Sequence, residues 1–299
     1  MMSNDIRIGF FGLGVMGLPM VKNVIKKSGC PVYGCDVVPE KMKELQEAGG
    51  IPEDDPDEIY KNCDVIMQML PTHETIANSV RRAISLGKPG TIIIDCSSAA
   101  PNIIRKLYDE AEAGGKHLLD SPVSGGNPMA EAGTLAIMTG GDKEIFDKVK
   151  FILDCMGTPV YTGGPGSGDT TKLVNNTIAG AYLAAIAEGY AFAAKAGIDL
   201  QTTFEATRGG FAGGPLYDNK VPKIINKDYE PGARIAVHRK DILNAKMYAH
   251  SLGIDLPVTD VTLRIMDWMK DNGHIDDDQA AMVKFFEDKM NVDVGKEQE

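Results

Sequence analysis

The sequence predicts an α/β fold, a doubly wound and mostly parallel sheet, followed by an all-α domain joined to it through a long helix. Three observations lead there. Short aliphatic runs alternate with amphipathic segments through the first half of the chain, a glycine-rich turn directly follows the first run, and beyond Tyr161 the strand-like runs stop. Strands buried under helices on both faces read as continuous Val/Ile/Leu runs, because neither face alternates with water.

Strands are expected at 6–11, 32–35, 65–70, 91–95 and 118–123, each short, mostly aliphatic and bounded by Gly, Pro or Asp. Helices are expected between them at 16–27, 39–48, 73–85 and 101–113, and two further strands, 135–139 and 159–161, flank a helix at 143–156. The cluster TGGPGSG (162–168) is a turn. Residues 169–196 then read as one helix, rich in Ala and Gly and apolar on nearly every face. At 1.5 Å per residue it spans roughly 40 Å, enough to run from one domain into the next. Asn175, Asn176, Glu188 and Lys195 interrupt it and no other segment resembles it, so it reads as a buried core helix rather than a membrane span. Helices at 201–207, 220–225, 233–252, 258–272 and 277–290 complete the chain, with a polar tail, 293–299, expected to fray. The domains are placed at 1–165 and 166–299.

Composition narrows the partners. The 299 residues hold 31 Lys and Arg against 42 Asp and Glu, a formal net charge of −11. Such a surface repels a phosphate backbone, so no nucleic-acid partner is expected. The opening MMSNDIRIGFFGLG has no basic stretch followed by a cleavable apolar core, so neither a signal peptide nor a membrane partner is read. Five Cys without a C-x-x-C pair fit a reducing, cytoplasmic setting. The five His form no H-E-x-x-H, and no metal is expected. Asp276, Asp277 and Asp278 read as N-cap and first-turn charges favoured by a helix dipole.

After the first strand stands Gly12-Leu13-Gly14-Val15-Met16-Gly17, a G-x-G-x-x-G opening a helix. Gly12 permits the tight turn, Gly14 lets backbone approach a pyrophosphate, and Gly17 allows close helix–strand packing, the arrangement of a Rossmann-type dinucleotide site. Asp36 ends the second strand, 19 positions beyond Gly17, where a carboxylate accepts hydrogen bonds from the adenosine ribose hydroxyls. It would repel a 2′-phosphate, and Val37 and Val38 follow it rather than Arg, so NAD is favoured over NADP.

Three further stretches carry chemistry. Ser124-Gly125-Gly126 ends a strand in a turn whose N–H groups and hydroxyl suit a substrate carboxylate. Lys172, in GPGSGDTTKLVNN, lies on the apolar helix with Asn176 one turn on. Either its amine snorkels to solvent, or it is held beside a cofactor as a proton-transfer group. His238-Arg239-Lys240-Asp241 is explained equally well as a solvated charged face.

GLGVMGLPM, DSPVSGG, GPGSGDTTKLVNN and RKDI, in this order and spacing, resemble the β-hydroxyacid dehydrogenases, which include 3-hydroxyisobutyrate dehydrogenase and tartronate semialdehyde reductase. The resemblance runs from about Ile6 to about Val292. It implies a Rossmann domain, a long connecting helix, an all-α domain that mediates assembly as a dimer or tetramer, and reversible NAD(P)-linked oxidation of a 3-hydroxy acid to its semialdehyde. It implies that Lys172 is the general acid/base, that Ser124, Gly125 and Gly126 bind the carboxylate of a small anionic substrate, and that Asn176 orients the substrate and Lys172. Lys240 would close the site beside the nicotinamide, with Asp241 supporting its helix. Leu13 and Met16 would join the three glycines in the cofactor loop, and Leu70, Pro71 and Ser98 correspond to strand-end loops that hold the cofactor. Ser121 and Ile242 depart from the family's usual small apolar residue and Leu, at positions without a chemical role. His238, with Asp278-Gln279-Ala280-Ala281 downstream, is closer to tartronate semialdehyde reductase. Related 6-phosphogluconate dehydrogenase has a much larger all-α domain.

Two rival readings stand beside this one. A Ser-Gly-Gly turn accepts several anions, so the aldehyde could bear a sulfonate, and Arg208 and Arg239 are candidate contacts for a distal acidic group. A non-catalytic NAD-binding module would have no use for both Lys172 and Asn176.

Overall fold

A computed structural model describes residues 6–295. The start of the segment read for a leader, 1–5, and the end of the polar tail, 296–299, lie outside the described residues. Two compact units divide the chain, one ending at Lys172 and one beginning at Leu173.

The first unit runs β1 (Ile8–Phe11), α1 (Gly17–Ser28), β2 (Val32–Cys35), α2 (Pro39–Glu47), β3 (Ile51–Pro52), α3 (Pro56–Asn62), β4 (Val65–Gln68) and α4 (His73–Leu86). It continues with β5 (Ile92–Asp95), α5 (Pro101–Ala113), β6 (His117–Asp120), β7 (Val123–Ser124), α6 (Gly126–Ala132), β8 (Leu135–Gly140), α7 (Lys143–Leu153) and β9 (Gly157–Gly163). The first six strands are parallel in the order β3-β2-β1-β4-β5-β6. β8 pairs antiparallel with β6 and β7 and parallel with β9. The strand order turns back between β1 and β4, and a crevice outside the carboxyl ends of strands at such a point is where α/β sheets bind ligands.

Alternation along each strand sends side chains to opposite faces. Phe10, Val65, Met67, Ile94 and Leu119 pack with Met20, Val21 and Val24 of α1 and Phe146 and Val149 of α7. Phe11, Ile66, Ile93 and Leu118 pack on the other face with Ile76 and Val80 of α4 and Ile104 and Leu107 of α5. Each fully buried aliphatic side chain contributes on the order of 2 kcal/mol.

The structure departs from the expected elements in places. The strand expected at 118–123 ends at Asp120, because Pro122 has no N–H for the ladder, and the chain resumes as β7 against β8. β3, α3 and α6 were not expected from the pattern. α3 is only 7 residues long, started by Pro56 and capped by Asp55, whose carboxylate accepts from the Asp57 N–H at 2.9 Å.

α8 (Ser167–Lys195) begins in the first unit and continues into the second, which adds α9 (Leu200–Thr207), α10 (Pro215–Ile225), α11 (Ile235–Ser251), α12 (Pro257–Asp271) and α13 (Val283–Met290). By length and apolarity α8 would pass for a membrane-crossing helix. Its Leu183, Ile186, Ala187 and Tyr190 instead join Val221, Ile242, Leu263, Met266 and Met282 in a helical core. α10 starts earlier than expected because Pro215 occupies its first turn, where a missing N–H costs nothing. The helix expected at 277–290 is split: a 3-10 turn, Gln279–Met282, precedes α13.

Asp278 explains that split. It caps the turn by accepting from the Ala280 N–H at 3.0 Å, and it is also drawn into the core, taking the Lys220 amine at 2.7 Å and the Gly232 and Ala233 N–H groups. Burial pushes the Lys220 pKa down. Asp277 pairs with Lys284 and His274, and Asp276 with Arg234. Among the described residues no three His, Cys, Asp or Glu side chains gather as a metal-holding group.

Candidate active site at the strand ends

The loop after β1 has the shape a dinucleotide needs. Gly12 has φ +86°, and a Cβ there would lie 2.3 Å from the Met69 carbonyl oxygen. A Cβ on Gly17 would lie 1.9 Å from the Gly12 carbonyl oxygen, so α1 starts against the loop it follows. Gly14 is exposed, with nothing within 4 Å of where a Cβ would stand, which leaves backbone approachable from outside. Leu13 is buried and offers only its main chain, Met16 is half-buried, and no side chain caps the first turn of α1. These features fit a pyrophosphate resting on the helix N-terminus.

Asp36 folds back onto this loop. One carboxylate oxygen accepts from the Leu13 N–H at 2.5 Å and the other from the Val38 N–H at 2.9 Å, and each oxygen keeps a second lone pair for a ligand hydroxyl. Leu70 lies next to Gly12, and its N–H donates to Ser97 Oγ at 2.8 Å. Pro71 is exposed and Ser98 half-buried; the Ala99 N–H that follows donates to Asp169 Oδ1 at 2.9 Å. The structure thus brings the loops after β1, β2, β4 and β5 together in the first unit, the last of them bonded to the start of α8.

The start of α8 is fixed by groups that sequence reasoning missed. Asp120, buried at the end of β6, accepts from the Gly166 N–H at 3.0 Å and the Asp169 N–H at 2.9 Å. A Cβ on Gly168 would lie 2.4 Å from the carbonyl oxygens of both Asp120 and Met138. Lys172, half-buried, stands one helical turn beyond that contact. Asp95 pairs in register with Asp120 and accepts from Gln68 Nε2 at 3.2 Å and the Ser97 N–H at 3.1 Å. The available signal was an acid ending each of two adjacent aliphatic runs.

Burial raises both carboxyls, and that of Asp120 is pushed up to about 6, with Asp95 adding to the rise against the bonded N–H groups. A carboxyl raised above its unfolded value near 3.8 adds stability below that pH and loses it as pH rises to about 6. Urea unfolding between pH 4 and pH 6.5 should therefore show wild type losing on the order of 2–3 kcal/mol relative to Asp120→Asn, the Asp95 contribution being common to both chains. Parallel pH curves for the two chains would refute this.

Ser124 lies at the end of β7, opposite Ala136. Gly125 (φ +138°) and Gly126 (φ +67°) turn the chain into α6 and are exposed, with Ser124 half-buried. Ser121 is fully buried and bonded to Thr139 through its hydroxyl at 3.2 Å, a structural use for the polar residue.

The second unit holds Asn176 and Lys240, which meet through Asp241. Asn176 Nδ2 donates to Asp241 Oδ2 at 2.8 Å, and Lys240 Nζ lies 3.5 Å from Asp241 Oδ1. Asn175 Nδ2 donates to Asn176 Oδ1 at 3.0 Å, and His238 Nε2 lies 2.9 Å from the Asn176 main-chain oxygen. The HRKD stretch is therefore only partly a solvated face: His238, Asp241, Ile242 and Ala245 are buried at helical spacing. Arg239 pairs with Asp267; Arg208 pairs with Asp218 and covers the Phe204 ring. Both arginines considered for a distal acidic group are thus taken up by carboxylates of their own unit.

Known proteins match this arrangement along the chain. A family described as the NAD binding domain of 6-phosphogluconate dehydrogenase matches residues 7–164, and one described as NAD-binding of NADP-dependent 3-hydroxyisobutyrate dehydrogenase matches 166–286. The chain is 32% identical to 2-(hydroxymethyl)glutarate dehydrogenase of Eubacterium barkeri, over 98% of its own length and 99% of that protein's. It is 31% identical to 2-hydroxy-3-oxopropionate reductase of Escherichia coli K12, over 94% and 97% of the two chains. The solved structure of Mycobacterium tuberculosis 3-hydroxyisobutyrate dehydrogenase with L-serine superposes with a TM-score of 0.84 at 29% identity, covering 93% of this chain and 98% of that one. With a nucleotide-ready glycine loop and full-length relatives that are dehydrogenases and reductases of hydroxyacids, the chain belongs to the β-hydroxyacid dehydrogenases, NAD(P)-binding oxidoreductases of the 3-hydroxyisobutyrate dehydrogenase type.

Proposed function

We propose that this protein interconverts a small 3-hydroxy acid and its semialdehyde with NAD(H), using Lys172 as general acid/base and no metal. One observation carries the reading: the first turn of α8, which leads into Lys172, is pinned to the strand ends by Asp120, Asp169 and Gly168. A residue on so fixed a turn suits proton transfer, which demands placement before reactivity.

Gly12, Leu13, Gly14, Met16, Gly17, Asp36, Leu70, Pro71 and Ser98 would hold the dinucleotide, whose nicotinamide supplies or accepts a hydride when bound. In reduction Lys172 gives its proton to the carbonyl oxygen; in oxidation the neutral amine removes the hydroxyl proton. The Ser124 hydroxyl and the N–H groups of Gly125 and Gly126 take the substrate carboxylate and so set the position of its β-carbon. Asn176, its amide held by Asp241, orients the substrate, and Lys240 closes the site. Residues 1–165 then serve the cofactor and 166–299 the substrate and assembly into a dimer or tetramer, in the cytoplasm.

Asp36 sets the cofactor choice in this reading. Steady-state assays with tartronate, methylmalonate and succinate semialdehydes and a sulfonate-bearing aldehyde, each with NADH and NADPH, test both claims. NADH should be preferred by about 100-fold in kcat/KM, and Asp36→Ala should narrow that to less than about 5-fold, since one carboxylate–phosphate repulsion is worth a few kcal/mol. A preference for NADPH would overturn the role of Asp36. Failure to reduce both tartronate and methylmalonate semialdehydes, whose products are 3-hydroxy acids, would overturn the function, and succinate semialdehyde, which gives a 4-hydroxy acid, serves as the contrast.

A further inference from the structure

Asn176 is held by more than its amide. His238, on α11 and 6% exposed, brings Nε2 to 2.9 Å from the Asn176 main-chain oxygen. A carbonyl oxygen only accepts, so Nε2 carries the hydrogen. A helical carbonyl already faces the N–H four residues on, so this bond enters from the side, as a second donor on one oxygen. The neighbourhood is built to admit it. Four residues on is Gly180, where a Cβ would lie 3.4 Å from His238 Nε2, 3.1 Å from Ile242 Cδ1 and 3.2 Å from Thr262 Cγ2.

The two ends of Asn176 are thus fixed independently by α11. Asp241 sets the rotation of the side chain: its carboxylate only accepts, so the amide nitrogen must face it, while Asn175 occupies the amide oxygen from the other edge. His238 sets the main chain from which that side chain projects. Side-chain bonds alone leave a helix free to slide or roll by fractions of an ångström, and a lateral bond to its backbone removes that freedom.

We infer that His238 is a positioning residue for the reaction, acting through the Asn176 carbonyl to fix the amide that orients the substrate. This rests on the dehydrogenase reading, in which Asn176 touches substrate. His238 itself needs no contact with substrate or cofactor.

The test compares His238→Leu, which deletes the donor, with His238→Gln, whose amide nitrogen reaches the place of Nε2, and His238→Asn, whose amide falls short of it. Leu and Asn should lower kcat for semialdehyde reduction by about 10- to 100-fold, the scale of a small misplacement of a positioned group, with NADH affinity within about twofold of wild type. Gln should return kcat to within about 3-fold of wild type. Should Leu fail to fold, the Asn and Gln pair carries the comparison. Nitrogen-15 NMR of the wild-type imidazole, a reading independent of turnover, should report hydrogen on Nε2. Equal kcat in Gln and Asn, full activity in Leu, or hydrogen on Nδ1 alone would each overturn the role. A wild-type chain that reduces no semialdehyde would remove the dehydrogenase reading and this role with it, whereas an active wild type matched by Leu would remove this role only.

Discussion

Lys172→Ala should lower kcat about 1,000-fold in both directions, while NADH binding, followed by fluorescence titration, stays within about twofold. Proton supply sets this loss. In the proposed reaction the carbonyl oxygen would gain negative charge as hydride arrives, and without a positioned donor it would have to draw a proton from water. Lys172→Arg should not restore turnover, because a guanidinium stays protonated and cannot act as base in oxidation. Small primary amines added to Lys172→Ala should recover part of the rate. If the amine merely snorkels to solvent, all these variants behave alike. Retention of more than about a tenth of wild-type kcat by Lys172→Ala would remove the residue from the mechanism.

Gly17→Ala should damage both fold and cofactor binding. The added methyl carbon would sit 1.9 Å from the Gly12 carbonyl oxygen, a backbone atom that cannot turn aside, so the loop or the start of α1 must move. A strain of this kind costs on the order of 3 kcal/mol, a fall in Tm of about 6–12 °C for a unit of this size, and NADH affinity should drop more than about tenfold. Gly14→Ala separates the two effects. Nothing lies within 4 Å of its added carbon, so Tm should hold while NADH binding weakens, the methyl entering the open space that the proposed pyrophosphate would take. Unchanged NADH affinity in both variants would show that this loop does not carry the nucleotide.

Much of the first unit was legible because its strands are two-sided. β1 and β4 are buried along their whole length, and such strands leave unbroken aliphatic runs in the sequence. α3 and α6 were not legible: at 7 residues each they complete too few turns for a periodic pattern to emerge. The glycine loop could be read because each glycine answers a local demand of backbone shape. Asp95 and Asp120 could not, since an acid after an aliphatic run looks like the polar residue of a turn until the register sets the two side by side. The HRKD stretch showed its residues but not its orientation. Four consecutive polar side chains span every face of a helix, and only the packing of α11 reveals that His238 and Asp241 point toward α8 while Arg239 turns to Asp267 of α12 and Lys240 stays half-buried.

The carboxylate at the end of β6 has a consequence for how the chain acquires its shape. It receives main-chain hydrogens from residues 46 and 49 positions downstream, so the longest helix finds an acceptor for its opening turn on a strand as well as in its own sequence. Starting a helix is the unfavourable step, and extending it is easy. Here the starting turn has a local bond, from the Ser167 N–H to the Gly164 carbonyl at 3.1 Å, and gains the Asp120 carboxylate from the sheet edge, which a chain leaving the ribosome presents first. The tie between strand and helix therefore also fixes where the rod begins, and Lys172 stands one turn beyond the residue that Asp120 and Met138 crowd.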